Sequence, residues 1–309
     1  MTTELSAAAW LWIPITVCAA FAQTVRNAAQ RSLTADLGTL GATLVRFLYG
    51  LPFAGAWLWA VQAWTGEPVP RPNTEFWAWV LVGGVSQIAA TALLLSAMQE
   101  RNFTLGVAYS KTEILQVAVI ALVFLGDPIT LATGAAVLAG TLGVLLLSPA
   151  DKERPFRAML AGWTTRASLL GIASGTAFAM AAVGFRGATL ALPGAGFLIA
   201  AAATLVAAQL VQTALLGGGL AAREPSVIAK AAHAWRGSLL AGFMGAAASA
   251  GWFTALALAP AAHVRTLGLV ELVFAYVLSM KLFREKLSRL ELAGMALLLA
   301  GVATVTLGR

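Results

Sequence analysis

The chain has one cysteine, Cys18, and two histidines, His233 and His263, among 309 residues. A single cysteine excludes an intramolecular disulfide framework, and so few thiol and imidazole groups exclude most metal cages. Charge is scarce too: 11% of residues are charged, against about 25% in a typical soluble domain. There is no Gly-Lys-Ser/Thr phosphate loop, no His-Glu-x-x-His pair and no dinucleotide fingerprint opening a βαβ unit. The usual cofactor-dependent chemistries of soluble enzymes drop out, and no cofactor is expected. The formal charge of +7, from 20 Lys and Arg against 13 Asp and Glu, is not a nucleic-acid signal, because its meaning depends on which side of a membrane it lies.

What is abundant is apolar sequence. Hydrophobic residues make up 60% of the chain, against about 45 to 50% in soluble proteins. A spanning helix takes about 20 residues, so ten of them consume roughly 200 and leave only short connections. Hydropathy predicts spans near Ala7–Ala28, Leu40–Ala63, Phe76–Met98, Leu105–Leu125 and Leu131–Ser148. A second five follow near Ala167–Phe185, Gly194–Leu216, Ser238–Leu258, Val264–Phe283 and Leu290–Leu307. The leader Met-Thr-Thr-Glu-Leu-Ser has no basic residue, so the first run reads as a span rather than a signal peptide. The expected fold is an all-α integral membrane protein of ten transmembrane helices.

An internal repeat divides the chain. At an offset of 158, Glu113 falls on Glu271, Asp127 on Glu285, Thr130 on Ser288 and Gly143 on Gly301. Arg26 and Arg186 align at an offset of 160. The halves are 1–150 and 151–309, joined through the charged segment 149–166. With five spans each, an odd number, the copies run through the membrane in opposite senses. Such inverted repeats mark secondary transporters that hold substrate between the halves near the midplane.

Glu113-Ile114 through Gly126-Asp127, and Glu271-Leu272-Val273-Phe274 through Arg284-Glu285-Lys286-Leu287, resemble the Glu-Pro-Val-Phe and Gly-Glu-Arg-Leu signatures of the drug/metabolite transporter superfamily. The likeness is to its ten-helix EamA-type branch. It implies export of small metabolites, with amino acids prominent among them, aromatic ones included as in the YddG-type exporters. In this sequence the proline after each membrane glutamate is replaced by Ile114 and Leu272, and the first closing glutamate by Asp127.

Orientation follows from Lys and Arg: connections after odd-numbered spans hold 14, the other side 4. The positive-inside rule places the odd connections in the cytoplasm and both termini outside the inner (plasma) membrane. Family members are often drawn the other way round.

The candidate substrate residues are the polar and aromatic groups inside apolar runs. A charge at the bilayer centre costs about 2.5 to 3.5 kcal/mol on insertion scales, so Arg46, Lys111, Glu113 and Glu271 each need a partner or a polar cavity. Tyr109, Glu113 and Gln116, at i, i+4 and i+7, would share one helical stripe with Lys111 off it. The equivalent ninth-span stripe ends at Phe274, an apolar wall. Gln87 and Trp252, midway along their spans, offer a hydrogen bond and a flat apolar surface. Two acids against two bases suit a zwitterionic substrate, with Glu113 and Glu271 as candidate proton carriers; the same tally also describes a structural ion network.

Small-residue spacings such as Ala136-xxx-Gly140 and Ala296-xxx-Ala300 assign spans five and ten to scaffold or to a homodimer seam. Gly171-xxx-Gly175 reads as packing rather than as a hinge. Phe156, Met159, Leu160 and Trp163 predict a surface helix lying against membrane lipid. The leading expectation is an exporter of small amphipathic metabolites, amino acids or analogues. Its alternative is a flippase subunit or a membrane partner protein that moves no free solute. An enzyme is not expected, because no nucleophile, base and orienter stand together among so few polar residues.

Overall fold

The computed structural model describes residues 2–100, 103–126 and 165–283, together with the single positions Leu131, Gly134, Ala135, Leu138, Ala293, Ala296, Leu297 and Ala300. The expected surface helix at 156–163, and most of spans five and ten with the small-residue spacings assigned to them, lie outside the described residues. So do Asp127 and Glu285.

Among the described residues every regular element is a helix. They are α1 (Thr2–Leu48), α2 (Leu51–Thr65), α3 (Thr74–Glu100), α4 (Phe103–Ser110), α5 (Glu113–Leu125), α6 (Arg166–Leu190) and α7 (Phe197–Gln212). Then follow α8 (Gly218–Arg223), α9 (Pro225–His233), α10 (Trp235–Leu258), α11 (Ala261–Leu267) and α12 (Glu271–Leu278). Among the described residues six stretches are long and apolar enough to cross a membrane. The outer face is that of a membrane protein: Trp59, Trp64, Val123 and Phe124 lie exposed, in a quantity of apolar surface that water would not tolerate.

The first crossing stretch, Trp10–Thr65, is 56 residues long, more than twice the roughly 20 that one pass needs. The chain reverses inside it at Gly38, whose φ of 67° and ψ of 174° are not helical and cost a side-chain-bearing residue dearly. Gln30 Nε2 donates to the Ala42 carbonyl at 2.7 Å, tying the two arms together. Helix α1 therefore runs on well past Ala28, where hydropathy ends the first span, because Gln30 and its neighbours are satisfied by the returning arm.

A second interruption separates α1 from α2 at Tyr49–Gly50. Pro52 sits in the first turn of α2, where its missing N–H is harmless, whereas it would break a continuous helix. Gly50 is required by proximity: a Cβ there would lie 2.9 Å from Gln209 Oε1 and 3.1 Å from the Gly242 carbonyl. The main packing pairs are α1 with α10 and α3 with α6. Gly83 on α3 and Gly184 on α6 meet backbone to backbone, a Cβ on Gly184 falling 2.7 Å from the Gly83 nitrogen. Small residues thus set how closely these helices approach.

Candidate functional site

The two segments expected to form the fourth and ninth spans are both broken, and both breaks immediately precede a glutamate. Helix α4 ends at Ser110, and α5 starts at Glu113. Helix α11 ends at Leu267, a short 3-10 turn covers Gly268–Val270, and α12 starts at Glu271. The absence of proline leads one to expect unbroken helices, so local chemistry must cause the breaks. In the first, Ser110 Oγ donates to the Val107 carbonyl at 2.7 Å and Thr112 Oγ1 to that of Tyr109 at 3.0 Å. These side chains compete with the helix for its own acceptors. In the second, Gly268 lets the turn tighten under Trp252, since a Cβ there would lie 2.6 Å from the indole.

Each glutamate consequently occupies the first turn of a new helix, where the N-terminal end of the dipole favours a carboxylate. The two are paired crosswise between the broken spans. Lys111, in the first break, donates to Glu271 Oε2 at 2.5 Å. Arg265, one turn before the second break, lies 3.7 Å from Glu113 Oε1. Lys111 is also 3.8 Å from Glu113. Neither carboxylate is served by its own broken span alone.

Helix α1 completes the shell around Glu271. Gln23 Nε2 donates to Oε2 at 2.7 Å and Asn27 Nδ2 to Oε1 at 3.0 Å. Gln23 Oε1 in turn accepts from Trp252 Nε1 at 2.8 Å. The Arg265 guanidinium lies 4.8 Å above the Trp252 ring, within range of a cation–π attraction. Arg26 donates to Asn27 Oδ1 at 2.6 Å. Arg46 donates to Thr91 Oγ1 at 2.9 Å and to Ser249 Oγ at 3.4 Å. None of the six charged residues, Arg26, Arg46, Lys111, Glu113, Arg265 and Glu271, is more than 6% exposed.

Of the residues expected from sequence to bind substrate, Arg46, Glu113, Trp252 and Glu271 meet in this cluster. Tyr109 is buried on the other side of the first break, with its Cβ against Gly171. The stripe drawn through Tyr109, Glu113 and Gln116 assumed one continuous helix, and the break interrupts it. Gln116 is half-buried on α5. Gln87 accepts from Gln212 Nε2 at 2.7 Å, which ties α3 to the end of α7. Phe274 packs edge-on against Phe21, ring centroids 5.5 Å apart, and against the core that includes Trp252. Gly171 and Gly175 serve close approach, Gly175 lying against the Ser110 carbonyl at the first break.

Arg26 and Arg265, at the edges of their predicted spans and counted with the connections in the 14-against-4 tally, are both interior. Sequence reasoning also set Lys111 aside as off the stripe, whereas Lys111 sits between the two carboxylates. Gln23 and Asn27 went unnoticed. A signal for them exists: Gln23, Asn27 and Gln30 stand at i, i+4 and i+7 in an otherwise apolar run, a polar stripe facing inward. With Arg26 and Arg265 counted, the cluster holds four cations and two carboxylates, not two of each. Removing the same two residues from the connections changes the positive-inside count from 14 and 4 to 13 and 3, which leaves its direction unchanged.

Beside the cluster is an apolar groove of about 810 Å³ between α1, α2, α7 and α10, lined by Cys18, Ala22, Phe53, Trp57, Phe197 and Phe243 among others. Among the described residues no group of His, Cys, Asp and Glu could hold a metal ion.

Long apolar helices around a buried, charged centre define a multi-pass membrane protein. Residues 10–148 match the model of the EamA-like transporter family. The first half of the chain is thus similar to the EamA-like unit of that transporter family. No curated protein matches. Among 26 matching chains of solved structures, one described only as a crystal structure of a protein has a TM-score of 0.65. It aligns over 97% of this chain and 97% of its own at 19% identity, a likeness of fold alone.

Proposed function

We propose that the chain is a secondary transporter that exports small amphipathic metabolites, amino acids or their analogues among them. It works by alternating access of two inverted five-helix halves, 1–150 and 151–309, in the plasma membrane with both termini outside. The observation that carries this reading is the pair of broken spans. Their glutamates stand 158 residues apart and are paired crosswise by Lys111 and Arg265. Discontinuous helices whose ends meet at the midplane are a recurrent way of building a transporter's binding site.

The packing supports the same reading. If the halves are interchanged, the first span becomes the sixth and the eighth becomes the third, so the contact of α1 with α10 becomes that of α6 with α3. These are the two principal helix pairs among the described residues. The cluster also suggests a route for coupling: a proton on Glu271 Oε2 would weaken its hold on Lys111 and Gln23, and these donors would then be offered to substrate.

Proteoliposomes containing the purified chain should take up or exchange labelled amphipathic metabolites without scrambling lipid. Lipid scrambling without solute flux would instead identify a flippase, and neither activity would leave a non-transporting partner protein.

A further inference from the structure

The buried cluster carries more positive charge than its own carboxylates neutralise. Among the described residues Arg26, Arg46, Lys111 and Arg265 are buried with only Glu113 and Glu271 as acidic counterparts. Lysine can shed its proton when buried, but arginine does not. Leaving Lys111 aside, three guanidiniums stand against two carboxylates. Arg26 and Arg46 have no ion-pair partner among the described residues; Glu271 attracts both without an ion-pair contact, while Arg26, Arg46 and Arg265 repel one another as like charges. An uncompensated buried ion costs several kcal/mol, so a centre built this way is complete only with a further negative charge in it.

Unused donors accompany the surplus. Arg26 Nε and Nη1 and Arg265 Nε are buried without a hydrogen-bond partner, although buried guanidinium nitrogens are normally satisfied. The two arginines come from different elements, Arg26 on α1 beside Asn27, a donor to Glu271, and Arg265 on α11 beside Glu113, just before the second break. Gly245 lets α10 pass close to Arg26 and Arg46, a Cβ there falling 3.4 Å from Arg26 Cδ and 2.9 Å from Arg46 Cγ. The guanidinium fork matches a carboxylate in shape as well as in charge.

We infer that the cluster receives the carboxylate of an organic acid with no ammonium group, held by Arg26 and Arg265. An amphipathic anion is thus the preferred substrate over the zwitterion that the two-against-two sequence tally suggested. The aromatic surface of Trp252, Phe274 and Phe21 adjoins the same cluster and suits an apolar tail. This inference rests on the transporter reading for the access of substrate to a closed site, but the charge argument stands apart from it.

The test uses the full chain in detergent with two matched probe sets: phenylpropionate, phenylalanine and phenethylamine, and isocaproate, leucine and isoamylamine. Each set keeps the apolar part and varies the charge. Thermal stabilisation reports binding to the folded state, and the carboxylate of at least one set should bind about tenfold more tightly than its zwitterion, with the amine weakest. Arg26→Gln and Arg265→Gln should each remove most of that preference. If a variant does not fold, the rank order in the parent chain still decides. Zwitterions at least as tight as their acids in both sets, or no stabilisation by either acid, would overturn the inference. Counterflow of the bound probe in proteoliposomes separates the two readings. Flux with zwitterions preferred sinks the anion site and keeps the transporter, whereas anion binding with no flux does the reverse.

Discussion

Glu271→Gln is the sharpest perturbation of the cluster. The carboxylate accepts from Lys111 at 2.5 Å, from Gln23 at 2.7 Å and from Asn27 at 3.0 Å. Glutamine keeps the volume and one acceptor oxygen, but its amide nitrogen must face one of these donors, and Lys111 loses the nearer of its two carboxylates. A hydrogen bond to a charged group contributes about 1.5 to 3 kcal/mol. A buried ion left without any partner costs about 3 to 5 kcal/mol. Because Glu113 remains 3.8 Å from Lys111, the smaller scale applies, and the expected loss is about 2 kcal/mol. The assay is a double-mutant cycle of Glu271→Gln with Lys111→Met, read by unfolding in one detergent. The two effects should be non-additive by about 2 kcal/mol, since either change alone removes the same bond. A coupling energy within about 0.3 kcal/mol of zero would refute the pairing and with it the account of the site. In proteoliposomes the folded Glu271→Gln chain should also lose the pH dependence of its flux; unaltered pH-dependent transport would end the proposed role in coupling.

Gly268→Ala should destabilise the chain by about 1 to 3 kcal/mol, the range for overpacking, because its Cβ would lie 2.6 Å from the Trp252 ring; in a Trp252→Phe background, with a smaller ring, the penalty should fall, and equal penalties in both would show that the indole is not what the glycine accommodates. For orientation, a reporter active only outside the cytoplasm should work when fused after Arg309 and fail when inserted between Pro149 and Arg166, as the distribution of 13 against 3 basic residues requires. The opposite pattern would invert the assigned topology.

Composition and hydropathy alone determined that this chain is a bundle of membrane helices, because a side chain's cost in hydrocarbon is a local property that can be summed along the sequence. That Glu113 and Glu271 need an interior partner was legible for the same reason: each is a charge inside an apolar run, and the 158-residue spacing relates them. Arg26 and Arg265 were illegible, since a charge near the edge of an apolar run reads equally well as a connection. Their burial depends on helix α1 running on to Gly38 and on α11 packing against α5. The breaks before the two glutamates were hidden too, because hydroxyl and glycine chemistry replaces the proline that would have announced them. Which cation pairs with which carboxylate was decided by tertiary structure alone: Lys111 and Glu271 are 160 residues apart, and only the packing of two broken spans brings each one's positive charge to the other's helix N-terminus.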